Sequence, residues 1–263
     1  MADSTKLALV TGASTGIGYE LAKLFATNGY DLVIAADEAQ IHVAAQELLA
    51  HGTTVTPVEL DLRSGDGVAT LYQRATENGR HLDAVALNAG IGRAGRFVDD
   101  DLSDDLSIID LNVRSTVHLA KLVLRDMVNR GSGRVLFTSS TVAAMPGSYQ
   151  SMYNASKSFV QSFAEGVHDE LRDTGVTVTS LLPGPVDTKF FDRAKMRDTP
   201  IGGLLPKDDP ADVARQGFDA LMRGDKRVVA ASVMSKALGA VNTVLPDGVK
   251  ARMNRLIAKP QGR

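Results

Sequence analysis

Short apolar runs alternate along the chain with longer stretches in which apolar residues recur at helical spacing. The runs cover residues 7–10, 32–35, 54–60, 84–87, 134–138, 176–182 and 227–231. Most are apolar at successive positions, as strands covered on both faces must be. Helical periodicity fills the intervals at about 17–28, 38–50, 66–78, 101–130, 152–174 and 210–223. This alternation predicts an α/β fold, a doubly wound parallel sheet of Rossmann type with right-handed crossovers. No repeat or low-complexity linker divides it, so a single domain over residues 1–263 is expected. The longest irregular stretch, residues 183–210, holds five prolines and the pair Gly202-Gly203. Loops of that length in compact domains are lids or binding loops, which places a lid at about 184–209. Past the last strand, Met234, Ala237, Leu238, Val241, Val244 and Leu245 fall on one helical face, and Lys250, Arg252, Arg255 and Lys259 follow Pro246. A helical C-terminal tail over about 232–258 is therefore expected.

Composition narrows the function. With 44% hydrophobic and 23% charged residues, the chain can bury an ordinary globular core. Twenty-nine basic against 31 acidic residues leave a net charge of −2, no electrostatic reason to expect nucleic acid as partner. The absence of cysteine excludes disulfides, thiolate metal sites and a cysteine nucleophile. His42, His51, His81, His118 and His168 have no metal-binding spacing, so no metal is expected. The start, MADSTKLALV, carries no cleavage signal and no later stretch could span a bilayer, so a cytoplasmic protein is expected.

The candidate chemistry begins at residues 11–18, TGASTGIG. Gly12 to Gly16 match G-x-S-x-G, the elbow that presents a serine nucleophile in α/β-hydrolases. Such an elbow needs a sheet around it and an acid and a histidine following in order, yet Ser14 has a single strand before it. A phosphate cradle fits better. Gly12 permits a turn, Gly16 and Gly18 let the backbone approach a pyrophosphate, and the helix start offers free N–H groups and a positive dipole end.

Further motifs follow in a fixed order. Asn88-Ala89-Gly90 follows the fourth strand, Asn112 sits in the fourth predicted helix, and Ser140 ends the fifth strand. Tyr153-x-x-x-Lys157 opens the fifth predicted helix, and Pro183-Gly184 follows the sixth strand with Thr188 beyond. With the T-G-x-x-x-G-x-G spacing, these features resemble the short-chain dehydrogenase/reductase superfamily, in its compact single-domain branch, from Thr11 to Thr188. Leu87 departs from the family's N-N-A-G. Tyr19 and Lys23 repeat the tyrosine–lysine spacing, but Lys6 stands thirteen residues before Tyr19, where Ser140 precedes Tyr153. Tyr19 and Lys23 therefore read as a surface pair, and Ser139 and Tyr149 as structural neighbours of the motif.

The resemblance implies hydride transfer between a nicotinamide cofactor and a secondary alcohol or ketone. It makes Tyr153 the general acid/base, Lys157 its activator and a ribose ligand, Ser140 the partner of the substrate oxygen, and Asn112 part of a proton relay. A phenol titrates near ~10, so work near neutrality needs a shift of about 3 pH units, or about 4 kcal/mol. A unit charge about 4 Å away supplies roughly 1 kcal/mol in water and about 4 at an effective dielectric near 20. Lys157 thus needs a partly desolvated cleft. The resemblance also assigns Ser14, Thr15 and Ile17 to the cofactor loop, and Asp61 with Leu62 to the adenine. It sets Asn88, Ala89 and Gly90 beside the adenosine ribose, and Pro183, Gly184, Val186 and Thr188 at the nicotinamide.

Asp37 lies about twenty residues past the last cradle glycine, the usual distance for a carboxylate on the adenosine ribose. A carboxylate there accepts from the ribose hydroxyls and repels a 2′-phosphate, which favours NAD over NADP. Its alternative role is a helix N-cap. Phe190, Phe191, Met196, Ile201, Leu204 and Leu205 make the lid apolar and favour a hydrophobic small-molecule substrate. Two rivals are a non-catalytic dinucleotide-binding regulator or scaffold on the same fold, and an extended epimerase or dehydratase. The intact Ser140–Tyr153–Lys157 set argues against the first; the glycine spacing and missing substrate domain argue against the second. The tail departs from the family's glycine-rich ending, so it is expected to pack on its own subunit near the lid. Association is then at most a homodimer, through the fourth and fifth predicted helices, with a membrane contact of the basic tail as the alternative.

Overall fold

The computed structural model describes residues 5–230 and 245–260. Seven strands form one parallel sheet: β1 (Leu7–Thr11), β2 (Asp31–Ala36), β3 (Val55–Glu59), β4 (Ala84–Leu87), β5 (Gly133–Thr138), β6 (Val176–Pro183) and β7 (Arg227–Ala230). Their order, β3-β2-β1-β4-β5-β6-β7, reverses direction between β1 and β4. Ligands of open α/β sheets lodge at such a switch point, outside the carboxyl ends of the strands. The α/β, doubly wound, Rossmann-type expectation is met.

The unbroken apolar character of the strands has a direct cause. Along β1, Ala8 and Val10 enter one core with Leu21 and Phe25 of α1 (Gly16–Thr27) and Phe218 of a later helix (Pro210–Arg223). Leu7 and Leu9 enter the other, with Leu71 of α3 (Gly65–Ala75) and Val123 and Val160 of the helices beyond β4. Both faces of the sheet are buried, so no position along β1 can be polar outside its end. α2 (Gln40–Leu49) packs on the first face through Ile41 and Leu48. Pro57 lies in β3, which pairs with β2 alone; an edge strand is where a missing backbone donor costs nothing.

The predicted helix at 101–130 is interrupted. It consists of α4 (Leu102–Ile108), a π-helical segment (Ile109–Ser115) and α5 (Thr116–Arg130). The wider turn holds Asn112, and π segments of this kind concentrate at functional sites. A long helix α6 (Ser151–Glu170) packs on the π segment and β6. The stretch expected to form a lid contains two short helices, α7 (Phe190–Arg193) and α8 (Pro200–Gly203), before α9 (Pro210–Arg223). Thr199 starts α8 by accepting from Gly202 N at 3.1 Å, with Pro200 at the first helical position.

The described part of the tail is α10 (Asp247–Ala258), which packs on α8. Its Ile257 joins Phe191, Ala194, Met196 and Ile201 in a small apolar cluster beneath the lid. Asn254, fully buried, donates to Ser148 O at 2.8 Å. Lys250 is buried against Asp247, and the Arg255 guanidinium lies 6.0 Å from the Tyr149 ring. The apolar face predicted at Met234, Ala237, Leu238, Val241 and Val244 lies outside the described residues. Among the described residues no helix is long and apolar enough to cross a membrane, and no His/Asp/Glu group is arranged to hold a metal.

Candidate active site

One cleft of about 410 Å³ opens at the carboxyl ends of β1, β4, β5 and β6. At one end lies the glycine loop. Gly12 and Gly16 have φ of +65° and +62°, the left-handed region that glycine alone adopts without strain. A Cβ on Gly18 would stand 2.1 Å from Gly12 O, so α1 can start this close to β1 only through a glycine. Thr15, the residue before α1, makes no side-chain cap bond, which leaves the first N–H groups of the helix directed at the loop. A bare helix start beside a surface that side chains would fill fits the pyrophosphate of a dinucleotide.

Thr11 organises this end, a role the sequence reading missed. Its hydroxyl donates to Ala86 O at 3.3 Å and accepts from Asn88 N and Ala89 N, both at 3.0 Å. The Asn88 amide donates to Thr11 O at 3.1 Å and Gly12 O at 3.3 Å, and accepts from Thr138 Oγ1 at 3.1 Å. Asn88 therefore clamps the ends of β1, β4 and β5 to one another. The sequence marked Thr11 only as the first residue of T-G-x-x-x-G-x-G, which carries no sign of this hydrogen bonding.

Ser140, Tyr153 and Lys157 line the centre of the cleft. β5 ends at Thr138, two residues before Ser140 rather than at it, and α6 brings Tyr153 and Lys157 to the same side of the cleft. Lys157 is 5% exposed; its Nζ donates to Thr138 O at 2.9 Å and lies 5.9 Å from the Tyr153 ring centroid. Burial lowers its pKa to about 8. Desolvation pushes the Tyr153 phenol up to about 12, against a hydrogen bond with Ser140 that acts downward. The tyrosine is thus a protonated donor, its shift opposite to the downward one that work near neutrality needs, and the lysine an ammonium held at a cost. Ser139, buried, donates to Lys157 O at 2.9 Å and braces the helix.

Asn112 is buried beneath this pair. Its Oδ1 accepts from Ile91 N at 2.9 Å, and its Nδ2 donates to Ile91 O at 2.8 Å and Ser156 Oγ at 2.9 Å. Lys157 Nζ and Asn112 Oδ1 would lie 3.2 and 3.3 Å from a Cβ on Gly90, so Gly90 is the gap that lets them approach. By contrast, Tyr19 donates to Glu47 at 2.7 Å and Lys23 lies 3.9 Å from Glu20, away from the cleft.

Ile17, Ala89, Pro183, Gly184, Val186 and Thr188 also line the cleft. Ser14, Asp37, Asp61, Leu62 and Asn112 do not. Leu62 is a core residue on the second face. Asp61 accepts Arg63 Nε at 2.9 Å, and the same guanidinium lies 3.7 Å from Asp37. The carboxylate beside the cradle is Glu38, which accepts from Ser14 Oγ at 2.5 Å.

The lid closes the far end. Phe190 lies over Tyr153 with ring centroids 5.3 Å apart, and its ring edge would meet a Cβ on Gly92. Val142, Met145, Met196, Ile201 and Ile257 complete an apolar wall. Ile257 comes from the tail, whose contribution no motif marked.

Comparison with known proteins gives the family. A profile described as short chain dehydrogenase matches residues 6–198. The oxidoreductase UcpA of Salmonella typhimurium is 30% identical over 255 residues, covering 92% of this chain and 94% of its own. A short-chain dehydrogenase from Sphingobium yanoikuyae, solved in complex with NADPH, superposes with a TM-score of 0.80 at 26% identity, over 98% of both chains. A relative from Burkholderia phymatum, solved in complex with NAD, shares the fold at a TM-score of 0.81, 23% identity and 98% coverage of both chains. The chain belongs to the short-chain dehydrogenase/reductase family of oxidoreductases.

Proposed function

We propose that this protein is an NAD(P)-dependent dehydrogenase/reductase that interconverts a hydrophobic secondary alcohol and its ketone, with NAD the favoured cofactor. The observation that carries the reading is one cleft lined by both the glycine cradle and the Ser140, Tyr153 and Lys157 side chains. The nicotinamide, when bound, supplies or takes up the hydride. Gly12, Thr15, Gly16, Ile17 and Gly18 hold the pyrophosphate end, while Pro183, Gly184, Val186 and Thr188 border the nicotinamide end. Ser140 donates a hydrogen bond to the substrate oxygen and fixes it beside Tyr153. In reduction Tyr153 gives its proton to that oxygen; in oxidation its phenolate takes the proton back. Lys157 stabilises the phenolate electrostatically in the desolvated cleft and binds the nicotinamide-side ribose. Asn112 holds the backbone of Ile91 and α6 in place, and through them the proton path past Lys157.

The apolar wall under the lid supports a hydrophobic ketone or alcohol, and Asp37 after β2 supports NAD. The test is cofactor-dependent absorbance change on purified protein against a panel of ketones and alcohols graded in size and polarity. Turnover of apolar ketones ahead of polar ones supports the reading. No turnover with either cofactor across the panel removes it.

A further inference from the structure

The lid and the cofactor loop share a charge pair that no catalytic step uses. Glu38, two residues past β2, accepts from Ser14 Oγ at 2.5 Å and from Arg193 Nη2. Ser14 belongs to the glycine loop; Arg193 ends α7 of the lid, 155 residues away from Glu38 in sequence. The lid is already close at this point, because Thr188 Cγ2 would lie 2.8 Å from a Cβ on Gly16. Arg193 also lines the cleft beside Thr15 and Gly16. Desolvation raises the Glu38 pKa, but the Ser14 hydrogen bond and the charges of Arg193 and Lys189 outweigh it and hold the carboxyl below its usual range. The carboxylate is therefore an anion seated between a hydroxyl donor of the cradle and the cations of the lid.

That place suits a phosphate. A phosphate offers more acceptor oxygens than a carboxylate and takes the same donors, a hydroxyl and a guanidinium. Resting on the reading of the cleft as a dinucleotide site, we infer that Glu38 is a built-in stand-in for a phosphate of the cofactor. On binding, that phosphate takes over Ser14 and Arg193, and Glu38 is released from both. The consequence reaches the substrate end, since α7 is four residues long and carries Phe190 against Tyr153 at its other end. Exchange at Arg193 thus reports cofactor occupancy to the ring that covers the catalytic tyrosine. Arg193 acts here as a positioning and affinity residue for the cofactor.

Two sources of the phosphate share this chemistry, the pyrophosphate common to both cofactors and the 2′-phosphate of NADP. The experiment is calorimetric titration of the intact protein with ADP-ribose and with ADP-ribose 2′-phosphate, neither of which can be turned over. Wild type, Arg193→Gln and Glu38→Gln are compared, with denaturation midpoints as a fold control. Arg193→Gln is expected to weaken binding about tenfold, the size of one charge-assisted hydrogen bond. Equal loss for both ligands assigns the pyrophosphate; loss confined to the second assigns the 2′-phosphate. Glu38→Gln is expected to tighten binding severalfold, because it removes the competing anion. Unchanged affinity in Arg193→Gln, or weaker binding in Glu38→Gln as a ribose-reading carboxylate would give, overturns the exchange. Failure of wild type to bind either ligand removes the dinucleotide reading itself, and the exchange with it.

Discussion

Lys157 is the clearest case of stability given up for chemistry. Its ammonium is 5% exposed, has one carbonyl partner at 2.9 Å, and burial lowers its pKa from 10.5 to about 8. At 1.36 kcal/mol per pH unit that difference is about 3 kcal/mol of penalty for keeping the charge inside. Replacing Lys157 by methionine keeps the stem and removes the charge, at the cost of leaving Thr138 O without its donor, about 1–3 kcal/mol. The variant should therefore match or exceed wild type by up to about 2 kcal/mol near neutral pH while losing activity. The pH dependence is sharper than the net value. Between about 8 and 10.5 the unfolded lysine holds a proton that the folded one has lost, so wild-type stability rises with pH through that window. Below it the full penalty applies; above it the penalty is gone. The advantage of Lys157→Met is thus largest below pH 8 and shrinks by about 3 kcal/mol toward pH 10.5. The upward push on Tyr153 is desolvation, common to both proteins, and cancels in the difference. Urea unfolding of both proteins across the window measures it. Parallel stability curves, or a variant several kcal/mol weaker at neutral pH, would refute a desolvated ammonium.

Tyr153→Phe should cut kcat by at least ~10²-fold, the scale of a lost general acid, with dinucleotide affinity by titration unchanged. Near-normal kcat on a verified substrate would remove Tyr153 from the reaction. The kcat/KM ratio should favour NAD over NADP and move about tenfold toward NADP in Asp37→Arg; a ratio that does not move would free Asp37 of any part in cofactor choice. Leu102 and Leu106 on α4 and Phe159 on α6 are exposed apolar residues on the faces expected to pair. Sedimentation should therefore show a dimer at most, and a stable tetramer would count against that pairing.

Much of the fold was legible because its cause is local. Strands buried on both faces must be apolar along their interior, and β1, β2 and β4 obey this except at the terminal Thr11 and Asp31. Ser140, Tyr153 and Lys157 were legible because a strand end and one helical turn fix their separation whatever the rest of the chain does. The π segment was not. It widens a helix without changing its apolar stripe, so periodicity over 101–130 reads the same with or without it. The role of Thr11 was hidden for a different reason: one hydroxyl ties β1 to Ala86 of β4 and to the Asn88 and Ala89 N–H groups just beyond it, which no spacing records. Leu62 shows the converse, a residue adjacent to a motif whose side chain belongs to the core.

The cofactor end resists sequence reading most, and the reason bears on how strong its preference should be. Counted along the chain, Asp37 falls at the adenosine ribose and Asp61 at the adenine, and the Asp37 carboxylate reads as rejection of a 2′-phosphate. In three dimensions Arg63 lies between Asp37 and Asp61, and Arg193 on Glu38. Neither arginine lies where sequence rules look for a cation, in the glycine loop or just after β2. One bare charge at about 4 Å is worth roughly 4 kcal/mol at an effective dielectric near 20, a discrimination of about a thousandfold. Each carboxylate here carries its own counter-ion, and Asp37 is half exposed, so most of that field is cancelled or screened. The preference expected at this site is therefore about tenfold, and it rests on hydrogen bonding to the ribose rather than on net repulsion. The Asp37→Arg ratio tests this directly: with Arg63 and Arg193 already shielding the carboxylates, a change near a thousandfold would show that bare repulsion sets the choice, and one near tenfold that it does not.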